Sequence, residues 1–331
     1  MALDHRRSPS RRLVACVAAL TLLTGACGTT GGAEGPDDDA PRIAATTTIL
    51  GDVVRNVAPG SAEVSVLMEP GADPHTFEPS ARQLAELQEA DLVIANGGGL
   101  EAGLQSALDD AEAAGVPVFT ALEHVTPLAG EQTEHAPDEH APEDHSEHGD
   151  GYDHGAVDPH FWMDPVRMAE VVDALGGRIG ALTGAARLST DRAVGYGEDL
   201  REVDDRIKDL LDDVPADRRT IVTNHESLTY FADRYDLHVV GTVIPSMSTG
   251  AEPSARDIER LGAVMGREGV TTIFADRTAP QRLAETLADE VGRGADVVVL
   301  FTESVGGEDG PATYIDMLMT DAELISQALR R

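Results

Sequence analysis

The sequence predicts an α/β protein made of two parallel-sheet β/α lobes joined by a long linker helix. Short apolar runs of strand type alternate with helical patterns over residues 43–119 and again over 220–301, and such alternation implies βαβ units and parallel sheets. Between the two series lies a helical pattern at near-heptad spacing: Tyr196, Leu200, Val203, Ile207 and Leu210. A chain of 331 residues is also long enough for two domains of ordinary size, each with a substantial core.

Residues 1–26 carry Arg6, Arg7, Arg11 and Arg12, then an apolar run at 13–23, and lead into Leu-Thr-Gly-Ala-Cys at 23–27. The run is too short for a permanent membrane span and has the layout of an export signal. The small residues before Cys27 are like a bacterial lipoprotein processing box, so Cys27 is the expected lipidated N-terminus and membrane anchor. Ser10-Arg11-Arg12 leaves the export route, general or twin-arginine, open. The only two cysteines are Cys16, inside the removed segment, and Cys27, so the mature chain forms no internal disulfide. Residues 27–41, rich in Gly, Thr and Asp, read as a flexible tether. The formal net charge of −34 argues against nucleic acid as a partner and favours the approach of cations.

The N-terminal lobe is expected over 42–189, with strands at 43–49, 64–68, 92–95 and 116–119 and helices near 51–58, 79–90 and 100–114. Ligands of parallel sheets collect at the carboxyl ends of strands. Just after the second expected strand comes His75, behind Asp73-Pro74, and the same tripeptide returns as Asp158-Pro159-His160. Pro159 fixes its own φ and restricts Asp158, so the backbone that presents His160 has few conformations to lose when it engages a cation. His160 therefore reads as a metal ligand. Asp164 then reads as the N-cap and Pro165 as the first residue of a helix, with Met168, Val171, Leu175, Ile179 and Leu182 behind them. An insert at 131–154 holds His135, His140, His145, His148 and His154 with nine acidic residues and no Lys or Arg. It cannot bury a core, and its imidazoles and carboxylates suit weak, exchangeable zinc binding.

Ser189-Thr190 is the expected cap of the linker helix, placed at 190–213, a rod of roughly 36 Å whose first turns are weakened by Gly195 and Gly197. The C-terminal lobe follows at 214–331, with strands at 220–223, 239–243, 271–274 and 297–301. His225 and Glu303 each stand two residues past an expected strand, at carboxyl ends. With His75 and His160 they offer three nitrogens and one carboxylate, two groups from each lobe.

Four motifs carry a wider resemblance: Asp73-Pro-His-Thr-Phe-Glu-Pro, Asp158-Pro-His-Phe-Trp-Met-Asp-Pro, Thr223-Asn-His-Glu-Ser-Leu-Thr-Tyr-Phe-Ala-Asp-Arg-Tyr, and Phe301-Thr-Glu-Ser with the later Tyr314-Ile-Asp-Met-Leu. From Ile43 onward the chain resembles the metal-specific solute-binding proteins of ABC importers, the cluster A-I group that captures zinc or manganese. The resemblance implies two lobes joined by a rigid helix, a metal ion between them, and a cognate ABC permease in the membrane as partner. It implies His75, His160, His225 and the acidic position 303 as ligands. Many members carry Asp where this chain has Glu303, which leaves Glu69, Asp276 or a water as other fourth ligands. Three imidazoles and a carboxylate favour Zn(II) as the transported ion, with Mn(II) the alternative, and copper would win on affinity alone. A secreted zinc hydrolase is the rival from another class, and an adhesin with structural metal is a third. No His-Glu-x-x-His helix supports the hydrolase.

Overall fold

Two four-stranded parallel sheets carry the fold. The first contains β1 (Arg42–Ala45), β2 (Glu63–Val66), β3 (Leu92–Ala95) and β4 (Val118–Thr120) in the order β2-β1-β3-β4. The second contains β5 (Thr220–Thr223), β6 (His238–Thr242), β7 (Thr272–Asp276) and β8 (Asp296–Leu300) in the order β6-β5-β7-β8. The computed structural model describes residues 40–58, 60–128, 157–291 and 295–331. The expected signal, Cys27, most of the tether and the insert with His135, His140, His145, His148 and His154 lie outside the described residues.

Helices α1 (Thr48–Val57), α2 (Ala81–Glu89) and α3 (Gln105–Ala113) connect the strands of the first sheet. Helices α4 (Pro165–Thr183) and α5 (Ala186–Asp212) lead to the second, where α6 (Thr229–Tyr235), α7 (Ala255–Glu268) and α8 (Arg282–Val291) alternate with strands before the final α9 (Tyr314–Leu329). The first strand ends at Ala45 and not at 49. Thr47 leaves the sheet because its hydroxyl accepts the Leu50 N–H at 3.2 Å, an N-cap that starts α1. Asp164 caps α4 through Val166 N at 2.9 Å, with Pro165 in its first turn.

The long helix departs from its expected start. It begins at Ala186, and Ser189 and Thr190 are helical residues inside it. Gly184 makes the turn in the left-handed region at φ 67°, and the Thr183 hydroxyl accepts the Ala185 N–H, so no cap is needed at 189. Nor is α5 a free-standing rod. A Cβ on Gly176 would lie 2.5 Å from Ala193 Cβ, and one on Gly180 would lie 2.7 Å from Ala186 Cα, so these two glycines let α4 and α5 touch along their backbones. Gly195 and Gly197 do not interrupt the helix.

One continuous apolar core joins the lobes, running from Ile43 and Phe161 through Leu200 and Ile207 to Phe231, Phe274 and Tyr314. Wide separation of the lobes would expose that core to water, which costs roughly 25 cal/mol per Å² of apolar surface.

Candidate metal centre

His75 lies in the loop after β2, His160 in the segment before α4, His225 just after β5 and Glu303 just after β8. The order of the second sheet reverses between β5 and β7, and His225 stands at that switch point. On the other side, the segment bearing His160 docks over the corresponding switch of the first sheet, where Asn96 Nδ2 donates to the Pro159 carbonyl at 3.0 Å. Gly97, Gly98 and Gly99 all have positive φ, and a Cβ on Gly98 would lie 3.1 Å from Pro159, so this turn lets the segment approach.

The structure brings one ligand atom from each of His75, His160, His225 and Glu303 within 4.8 Å of one another. His160 Nε2 is 3.2 Å from His75 Nε2, and Glu303 Oε1 is 3.2 Å from His225 Nε2 and 3.6 Å from His160 Nε2. Bonds of about 2.0–2.1 Å to a tetrahedral ion place neighbouring ligands about 3.3 Å apart, close to these three separations. His160, His225 and Glu303 are buried, and His75 is half-buried. Glu69 is exposed, and Asp276 is engaged by Thr302 and Thr278. Neither belongs to the cluster. His124 stacks on Phe119 at 4.3 Å, and His238 is exposed at the start of β6.

Both Asp-Pro-His units use the same local device. The Asp carboxylate accepts the backbone N–H of the His two residues on, at 2.9 Å in each case. The second unit adds a contact between Asp158 Oδ1 and His160 Nδ1 at 2.7 Å. With Nδ1 carrying the proton, His160 donates to Asp158 and its Nε2 lone pair faces His75 and Glu303. Reading the sequence for histidines missed Asp158, although Asp two residues before a histidine is the recognisable signal of such a turn. It also missed Tyr230, whose hydroxyl donates to the Asp158 carbonyl at 2.9 Å and accepts the Leu128 N–H at 2.9 Å.

The electrostatics call for a cation. Both Glu303 oxygens and both His225 nitrogens are buried with no hydrogen-bond partner, a costly state for polar groups. Burial, the largest cause, pushes the Glu303 carboxyl up to about 8. Burial also lowers His75 and His225, holding both imidazoles neutral. A divalent ion would relieve this, because it binds the neutral imidazoles and the ionised carboxylate directly.

Residues 43–328 match the family model ZnuA, described as zinc-uptake complex component A periplasmic. The zinc-binding protein TroA of Treponema pallidum is 28% identical over 326 residues, covering 97% of this chain and 99% of that relative. The manganese-binding lipoprotein MntA of Halalkalibacterium halodurans is 24% identical over 316 residues, covering 95% and 96%. The solved structure of the Treponema pallidum periplasmic zinc-binding protein superposes with a TM-score of 0.76 at 27% identity, covering 88% of this chain and all of that one.

Proposed function

The chain belongs to the ZnuA family, whose model it matches over residues 43–328, and on that premise we propose that it captures Zn(II) outside the cytoplasm and delivers it to a cognate ABC importer permease. Members of this family are metal-binding transport components and not enzymes. One observation supports the choice of residues: His75, His160, His225 and Glu303 converge from four separate segments, and the buried side-chain atoms of His225 and Glu303 lack hydrogen-bond partners. Three of the pairwise spacings, at 3.2–3.6 Å, support a four-coordinate ion, and three imidazoles with one carboxylate favour zinc.

A second reading, Mn(II), draws on Glu303. Both of its oxygens are free of hydrogen bonds, so it can bind through two atoms and raise the oxygen count that manganese prefers. We further propose that residues 1–26 are removed and that Cys27 carries the lipid anchor. Among the described residues no helix is long and apolar enough to cross a membrane. Elemental analysis of full-length protein purified without added metal, followed by competition between the two ions, tests the assignment. One tightly held zinc per chain that manganese does not displace is expected. Displacement by equimolar manganese would transfer the function to the second ion.

A further inference from the structure

We propose that Trp162 is a positioning residue for the captured ion: it rivets the segment bearing His160 to the segment bearing Glu303, so that the two ligands hold and release the ion as one unit. The inference rests on the metal-capture reading above.

Trp162 lies in the 3₁₀ turn Phe161–Met163 that follows His160 directly. Its indole N–H donates to the Thr302 carbonyl at 2.7 Å, across 140 residues of sequence and from one lobe to the other. Thr302 immediately precedes Glu303. The main chain of Trp162 is held as well, because its carbonyl accepts the Tyr314 hydroxyl at the start of α9. Within the second lobe, the Thr302 hydroxyl donates to Asp276 Oδ2. Thr302 is thus fixed on one side to its own sheet and on the other to Trp162. The indole edge also meets the His160 imidazole, with ring centroids 5.2 Å apart. One side chain therefore touches a ligand of the first lobe and the backbone next to a ligand of the second.

A large side chain buried to 3% exposure could simply fill the core. Filling requires only an apolar body, whereas this indole places its single donor on a carbonyl in a buried interface. Without that bond the Thr302 carbonyl loses its partner in the other lobe, and the Glu303 segment is free to leave the ion while His160 stays. A ligand that can detach alone opens a path to stepwise release. The bond therefore acts on the dissociation rate more than on capture.

The protein contains one Trp, so biosynthetic replacement of tryptophan by β-(benzothienyl)alanine removes only this N–H and preserves the bicyclic shape. Tyr314→Phe is the independent variant and removes the bond to the Trp162 carbonyl. Full-length protein loaded with Zn(II) is mixed with excess EDTA to read the off-rate, and metal-free protein is mixed with Zn(II) to read the on-rate. Both proteins are expected to retain one zinc. The off-rate should rise roughly tenfold in the indole replacement, the factor for one net hydrogen bond, and less in Tyr314→Phe. The on-rate should change by less than about threefold. A lowered melting temperature with unchanged off-rates in both proteins would reduce Trp162 to core packing and overturn the proposal. So would an increase confined to Tyr314→Phe. Loss of all zinc from wild-type protein would instead remove the capture reading and this inference with it.

Discussion

Asp158 Oδ1 accepts the backbone N–H of His160 at 2.9 Å and stands 2.7 Å from Nδ1 of the same imidazole. Asp73 Oδ1 accepts the corresponding N–H of His75, but its other oxygen is taken by Thr249 Oγ1 at 2.5 Å. The two Asp-Pro-His units are therefore unequal: one orients a ring, and the other ties a loop to the opposite lobe. Asp158→Ala should lower zinc affinity about 10–100-fold, the usual loss for a group that orients a ligating histidine. Asp73→Ala should lower it less. Chelator competition on both variants checks the ranking, and equal losses would remove the distinction.

In the metal-free protein burial pushes Glu303 up to about 8, while His75 and His225 are lowered and neutral. The proton displaced by an incoming ion is therefore expected to come from the carboxyl rather than from these two imidazoles. An acid with a raised value is protonated below it, and the ion needs the ionised form. Apparent zinc affinity should accordingly rise about tenfold per pH unit up to about 8 and flatten above it. Titration calorimetry at pH 7 in buffers of different ionisation enthalpy should show about one proton released per zinc. Glu303→Gln should abolish that release and speed dissociation. An unchanged proton count in the variant would assign the proton elsewhere.

Asp321, on α9, is fully buried, and its Oδ1 accepts the Phe301 N–H at 2.9 Å. Burial raises its carboxyl well above the usual range. In the unfolded chain it ionises near pH 4, so its contribution to stability is complete below that pH and is lost as pH rises toward the folded value. Asp321→Asn keeps an acceptor for Phe301 and removes the titration. Its melting temperature should exceed that of the wild type at pH 8, with the gap narrowing at pH 5. A gap of the same size at both pH values would contradict the linkage.

Gly180 faces the backbone of Ala186, whereas nothing lies within 4 Å of a Cβ on Gly177. Gly180→Ala should destabilise the protein by about 1–3 kcal/mol through overpacking. Gly177→Ala should stabilise it by about 0.5–1 kcal/mol, because alanine restricts the unfolded chain and favours the helix. Denaturant titration of the two variants separates them by sign.

Deleting residues 131–154 should leave one tight zinc site and remove any weaker ones, since His75, His160, His225 and Glu303 all lie outside that stretch. Stoichiometry and affinity of the shortened protein provide the check. Loss of all binding would move the primary site into the insert.

The sequence by itself determined what depends on neighbours along the chain. Alternating apolar runs specified eight strands in two series; β3 and β5 fall where the residues place them, and the other boundaries move by a few residues. The Asp164-Pro165 pair marked the start of α4 because a cap and its N–H partners lie within one turn. His75, His160, His225 and Glu303 could each be singled out by their place after an apolar run or an Asp-Pro pair. Only the tertiary structure decided how these pieces meet. The start of α5 at Ala186 follows from its close contact with α4 at Gly176 and Gly180, which outweighs the capping preference of Ser189. The contact between His75 and His160 spans 85 residues, and the bond from Trp162 to Thr302 spans 140. No local propensity encodes such distances, because they arise when two sheets and a shared apolar core fix the backbone, and a ligand's partners are chosen by that packing.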